Sequence, residues 1–120
     1  MRCLYCHNPD TWQLNKNNPR TVESILEEYD SYKEFLKNGG ITCTGGEPLL
    51  QKDIFEFLEK VRSTGLLIKL DTNGSYPEKL KEAIDRGLVD YVAMDIKTSK
   101  ENYSKVADVN VKIQDIEKSM

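Results

Sequence analysis

Three short apolar runs punctuate the chain: Ile41–Thr44 (ITCT), Leu66–Asp71 (LLIKLD) and Tyr91–Ile96 (YVAMDI). They begin at positions 41, 66 and 91, so successive runs start 25 residues apart. That is the pitch of a strand–helix repeat rather than of hairpins, whose strands are joined by only a few residues. The segments between the runs have helical periodicity. Thr21 is placed to N-cap a helix with Glu23 in its first turn, where the helix dipole favours an acid. Val22, Ile25, Leu26, Tyr29, Phe35 and Leu36 then fall on one stripe, and Asn38-Gly39-Gly40 is expected to end it. A second helix carries Ile54, Phe57, Leu58 and Val61 and stops at Gly65. A third starts near Pro77, buries Leu80 and Ile84, and ends at Gly87, while Val109–Ile116 reads as part of a fourth. Alternating strands and helices imply parallel strands with right-handed crossovers. Strands covered on both faces should be nearly continuous in apolar residues, as the LLI and VAM segments are. The expected fold class is α/β. Periodicity leaves open whether the sheet is doubly wound or part of a (β/α) barrel.

Bulk properties narrow the setting. The 120 residues have the length of one domain, and 38% hydrophobic with 31% charged residues is the composition of a soluble globular protein. A net charge of −3 without any Lys/Arg cluster gives no reason to expect nucleic acid. No apolar run is long enough to span a bilayer and no secretion signal opens the chain, so no membrane association is expected. Three cysteines are an odd number, which argues against a disulfide scaffold and for a reducing, cytoplasmic location.

Chemistry collects at the strand ends. The runs lead into Gly45-Gly46-Glu47-Pro48, Asp71-Thr72-Asn73-Gly74 and Asp95-Ile96-Lys97. Parallel sheets, open or closed, bind ligands at the carboxyl ends of their strands, so three such groups on one rim read as one site. Gly45 and Gly46 lack a Cβ, so a ligand can approach their backbone closely. Glu47 sets a carboxylate beside them, suited to an ammonium group, and Asp71 and Asp95 add two more acids. At ~4 Å and an effective dielectric of ~20, one carboxylate attracts a unit positive charge by about 4 kcal/mol before desolvation. Taken singly, each group has a plain structural explanation: two turns and a surface ion pair. Their joint placement at successive strand ends makes the plain explanations poor ones.

The segment Cys3-Leu4-Tyr5-Cys6-His7 admits four readings. Cys-x-x-Cys-His is a haem-attachment pattern, but that chemistry requires export. A redox dithiol sits at a helix start, whereas loop-forming His7-Asn8-Pro9-Asp10 follows here. Structural zinc wants four ligands, and the third cysteine, Cys43, lies inside a predicted strand as a small buried hydrophobe. An iron–sulfur cluster wants cysteine thiolates too, and a cube held by three would leave one iron open to substrate.

MRCLYCHNPDTW, ITCTGGEPLLQ, LDTNG and MDIK, in this order and spacing, closely resemble the radical S-adenosylmethionine enzymes that activate glycyl-radical enzymes. The resemblance runs from residue 1 to about 105 and implies a parallel-sheet fragment of a partial (β/α) radical-SAM barrel, occupying residues 1–120 as a single core fragment. The family motif is Cys-x-x-x-Cys-x-x-Cys, whose second half Cys3, Tyr5 and Cys6 match. Met1 is therefore expected to be internal to a longer protein. A strand and a first cysteine, four residues before Cys3, should precede it, and further strand–helix units should follow residue 120. By the same resemblance, Cys3 and Cys6 would ligate a 4Fe-4S cluster, with Tyr5 and His7 at the cofactor pocket. Gly45, Gly46 and Glu47 would hold the amino end of S-adenosylmethionine. Asp71, Asn73, Asp95 and Lys97 would line the pocket nearer its sulfonium and carboxylate, where some members also bind a monovalent cation. The implied reaction is reductive cleavage of S-adenosylmethionine to install a glycyl radical on a partner enzyme. That partner would be of the pyruvate formate-lyase or anaerobic ribonucleotide reductase type, with flavodoxin or ferredoxin as electron donor. No side chain need serve as an acid or base, since the cofactors carry the chemistry. Two rival classes are a non-catalytic S-adenosylmethionine-binding module and a zinc or redox Cys-x-x-Cys protein.

Overall fold

A computed structural model describes residues 20–103, 105 and 112–120. The described elements run α1 (Val22–Tyr32), β1 (Gly40–Cys43), a 3-10 turn (Pro48–Leu50), α2 (Ile54–Ser63) and β2 (Leu67–Thr72). They continue with α3 (Pro77–Asp85), β3 (Tyr91–Met94), a second 3-10 turn (Lys100–Asn102) and α4 (Ile113–Ser119). The sheet has three strands in the order β1-β2-β3, both pairings parallel. Ile41 stands opposite Ile68 and Cys43 opposite Leu70, while Leu70 stands opposite Val92 and Thr72 opposite Met94. The α/β class and the parallel sheet expected from the 25-residue spacing are thus observed. Sequential strand order without a reversal is consistent with a segment of a (β/α) barrel.

One face of the sheet carries the core. Ile68 and Leu70 pack with Ile54, Leu58 and Val61 of α2, and with Leu80 and Ala83 of α3, in a single buried cluster that also takes in Cys43, Leu49, Leu66 and Leu88. Burial along β2 alternates strictly, with Ile68, Leu70 and Thr72 inside, as one covered face requires. The expectation of strands buried on both faces is therefore corrected. Leu67 is 60% exposed and Tyr91 63% exposed, because among the described residues both helices lie on the same side.

Thr21 caps α1 as expected, its hydroxyl accepting from Ser24 N–H at 3.1 Å. The stripe does not extend to Phe35, which is 87% exposed, nor to the exposed Leu36. The helix ends at Tyr32, and the chain then tightens into i to i+3 bonds from Phe35 N–H to Tyr32 and from Leu36 N–H to Lys33. Asn38-Gly39-Gly40 accordingly ends no helix; Gly40 opens β1. In α3, Ala83 rather than Ile84 faces the sheet, and Ile84 is 51% exposed. The fourth helix starts at Ile113, with Val109 outside the described residues. It covers a second small cluster, Tyr103 and Ile116 with Met94 and Ile113.

A side-chain clamp closes the sheet's amino edge. Arg62 of α2 donates from Nε and Nη2 to Gly87 carbonyl oxygen at 2.9 and 2.7 Å, and from Nη1 to both Asp90 oxygens at 2.9 Å. Asp90 Oδ2 also accepts from Ile68 N–H at 2.7 Å. The Ile68 amide, then Arg62, hold the Asp90 carboxyl below the usual carboxylate range. No helix among the described residues is long and apolar enough to cross a membrane.

Gly40 is required by close approach: a Cβ there would lie 2.6 Å from the Leu67 carbonyl oxygen. Because that neighbour is strand backbone, Gly40→Ala must push β1 and β2 apart. The expected cost is about 1–3 kcal/mol, read as a lower denaturation midpoint in urea with an unchanged slope. A midpoint equal to wild type would refute the close contact.

Candidate functional site

Parallel strands all end at one edge, and the polar groups that follow them collect there. After β1, Gly45 takes φ 126°, a conformation that favours glycine. Glu47 then N-caps the Pro48–Leu50 turn, Oε1 accepting from Leu49 N–H at 3.1 Å. The same carboxylate reaches across to the end of β2. Thr72 Oγ1 lies 2.9 and 3.0 Å from Oε1 and Oε2, and Asn73 N–H donates to Oε2 at 2.8 Å. Asn73 Nδ2 lies 3.5 Å from the Gly46 carbonyl oxygen. Thr72 and Asn73 are both buried, so the protein's own donors satisfy this carboxylate in place of water.

The Asp71-Thr72-Asn73-Gly74 group forms the turn that its residue types predict. Asn73 Oδ1 accepts from Ser75 N–H at 3.0 Å, the Asx-turn geometry. Gly74 has φ 74°, and a Cβ on it would meet Met94 Cε at 2.3 Å. Its carbonyl oxygen accepts from Ser119 Oγ at 2.7 Å, which ties α4 to the rim.

Asp71 differs from its neighbours in direction. It lies within β2 with Lys69 on the half-buried side, away from the core, and Lys69 Nζ approaches its Oδ1 to 2.8 Å. The contact is ionic rather than directional: Oδ1 is shielded from solvent yet has no hydrogen-bond partner among the described residues. Across the sheet Asp71 stands opposite Ala93, two residues before Asp95. Asp95 N–H donates to Thr72 carbonyl oxygen at 2.9 Å, and its carboxylate pairs with Lys97. Lys97 N–H in turn donates to the Tyr103 hydroxyl at 3.4 Å.

The structure thus brings Gly46, Glu47 and Asn73 into direct contact, with Asp95 joined to them through the β2 backbone. Cys3, Tyr5, Cys6 and His7 lie outside the described residues. Sequence reasoning passed over Thr72, Lys69, Lys79 and Tyr103. The alternation along β2 could have placed Lys69 beside Asp71. Nothing in the sequence signals that Lys79 Nζ donates to Leu49 carbonyl oxygen at 2.7 Å.

The chain matches the sequence profile of the Radical SAM superfamily over residues 1–120. It belongs to that superfamily. Members in general use S-adenosylmethionine and a 4Fe-4S cluster. A similar protein of Methanocaldococcus jannaschii, provisionally named a glycyl-radical enzyme activating enzyme, is 40% identical over 106 residues, covering 88% of this chain and 42% of its own length. The pyruvate formate-lyase-activating enzyme of Listeria monocytogenes is 36% identical over 107 residues, covering 81% of this chain and 42% of that protein. The pyruvate formate-lyase 1-activating enzyme of Escherichia coli is 37% identical over 102 residues, with 81% and 41% covered. The chain therefore spans about two fifths of the length of these curated relatives.

The two cofactors fit the described residues differently. An exposed glycine backbone with the Glu47, Asp71 and Asp95 carboxylates at the same strand ends suits a ligand that carries positive charge. For the cluster, no group of three or more His, Cys, Asp or Glu among the described residues could hold a metal ion. Cys43 is unsuited to that role. It is buried in the helix-side core, and burial, assisted by the Asp71 carboxylate, pushes its thiol up to about 11. Since the thiolate is the reactive form, Cys43 should resist iodoacetamide at pH 8 in the native protein and alkylate fully in denaturant. Rapid native labelling at Cys43, located by peptide mass mapping, would contradict its placement.

Proposed function

We propose that this chain is the cofactor-holding part of a radical S-adenosylmethionine enzyme that installs a glycyl radical on a partner enzyme of the pyruvate formate-lyase or anaerobic ribonucleotide reductase type. The observation that carries the reading is the gathering of the Gly45-Gly46-Glu47 and Asp71-Thr72-Asn73 groups on one rim of the parallel sheet, with the Glu47 carboxylate latched to Thr72 and Asn73. It is supported by the activating enzymes among the relatives. A flavodoxin or ferredoxin as electron donor and a reducing, cytoplasmic setting belong to the same reading.

In it, Cys3 and Cys6 hold the 4Fe-4S cluster with a third thiolate, and Tyr5 and His7 flank the pocket. When bound, the cluster and S-adenosylmethionine would supply the one-electron reductive chemistry that protein side chains lack. The protein's own residues bind and orient. Gly45, Gly46 and Glu47 receive the amino end, chiefly through backbone carbonyls, because the Glu47 carboxylate already has three donors. Asp71, with Lys69 beside it, offers its carboxylate to positive charge, while Asn73, Asp95 and Lys97 complete the polar wall. A monovalent cation beside Asp71 and Asp95 is compatible with the same acids.

Two measurements test this on the protein restored to full length, with its third cluster thiolate, and reconstituted anaerobically. With reductant, S-adenosylmethionine and a glycyl-radical enzyme, a glycyl radical signal should develop by electron paramagnetic resonance. Deoxyadenosine without a radical in any such partner would indicate a different substrate. Asp71→Asn keeps the shape and removes the charge, so S-adenosylmethionine affinity should fall roughly tenfold or more. Unchanged affinity would remove Asp71 from the site.

A further inference from the structure

The Gly45-Gly46 loop is gripped by two side chains that stand outside it. Thr72 ends β2 and is 3% exposed. Its oxygen accepts from Gly74 N–H at 3.1 Å, which leaves its own proton directed to the Glu47 carboxylate 2.9 Å away. Lys79 reaches from α3 to the other end of the same segment, donating to Leu49 carbonyl oxygen at 2.7 Å, with its ammonium 5.6 Å from the Tyr76 ring centroid. One grip acts through a carboxylate and the other through a carbonyl, so Glu47 through Leu49 is fixed to β2 and to α3 at once. Two adjacent glycines precede this segment. They have unusual backbone freedom to lose on binding, and a loop already ordered binds more tightly than one ordered by its ligand.

We propose that Thr72 and Lys79 are positioning residues that hold the Gly45-Gly46 backbone in its ligand-binding geometry. Neither needs to touch the ligand. The ligand assignment rests on the proposed function above; the geometry of the loop does not.

The test uses the reconstituted full-length protein with Thr72→Val, Thr72→Ser and Lys79→Met. The valine is isosteric but lacks the hydroxyl, the serine restores it, and the methionine keeps the aliphatic stem over Tyr76 without the donor. Two readouts are needed: amide hydrogen exchange at Gly45, Gly46 and Leu49 without ligand, and affinity for S-adenosylmethionine against 5′-methylthioadenosine, which lacks the amino end. Thr72→Val should speed exchange across the loop. It should also weaken S-adenosylmethionine roughly tenfold, the factor that about 1.4 kcal/mol gives, and leave methylthioadenosine unchanged. Thr72→Ser should restore both values, and Lys79→Met should follow Thr72→Val in direction. Unaltered exchange in both Thr72→Val and Lys79→Met overturns the proposal. So does an equal loss of affinity for the two ligands, which marks general destabilisation. Faster exchange in these variants, where the wild-type chain itself binds no S-adenosylmethionine, supports the positioning and overturns the proposed function instead.

Discussion

The Glu47 carboxylate sits where the first two strand–helix units meet, and three donors from both units converge on it: Leu49 N–H, Thr72 O–H and Asn73 N–H. This depends directly on parallel pairing. Cys43 stands opposite Leu70, so Glu47, four residues beyond the first, emerges beside Thr72, two beyond the second. In an antiparallel pair those ends would lie at opposite edges and no such latch could form. A half-buried carboxylate without donors would cost several kcal/mol. With three, it joins two crossovers and leaves the glycine backbone before it free for other partners. Thr72 continues the chain of contacts by accepting from Gly74, whose carbonyl oxygen takes the Ser119 hydroxyl of α4. The rim is one connected hydrogen-bonded body rather than three adjacent loops.

The sheet beneath it is two-faced. On the helix side Ile68 and Leu70 are fully buried against α2 and α3; on the other side Leu67, Lys69, Asp71 and Tyr91 carry the remaining exposure. A surface ion pair such as Lys69–Asp71 contributes little to stability by itself. Its worth lies in location, because the carboxylate it restrains stands below the rim with one oxygen lacking a directed donor.

The features legible in the sequence were those that local periodicity carries. The 25-residue repeat located all three strands to within two residues at either end, and the glycines after α2 and α3 marked their ends. The errors arose where a stripe was extended past the end of its helix. Phe35 continues a pattern that the backbone has already left, because the last turn after Tyr32 tightens to i to i+3 bonding. Ile84 and Ala83 both lie near the stripe of Leu80, and the smaller residue takes the inward place, which brings the helix close to the sheet. The polar motifs were legible as a group, but the Glu47 latch was not. Its partners lie 25 and 26 residues away in sequence, and only the register makes them neighbours.

Register also changes the charge balance of the rim. Three acids at the strand ends suggest a strongly negative site, yet Asp95 is paired with Lys97 and Asp71 has Lys69 beside it. The three carboxylates (Glu47, Asp71, Asp95) and two ammonium groups (Lys69, Lys97) sum to a single negative charge, which the Lys79 ammonium on the Leu49 carbonyl offsets further. S-adenosylmethionine has an ammonium, a carboxylate and a sulfonium, so it carries a single net positive charge. Bulk attraction between such partners is modest and readily screened by salt. Discrimination must then come from where each charge is placed. The Glu47 carboxylate has its donors and Asp95 and Asp71 each have a lysine; among the described residues the one shielded side-chain oxygen without a directed hydrogen bond is on Asp71. In the proposed function a ligand's positive centre would be drawn to that acid, while the clamped glycine loop would set the orientation.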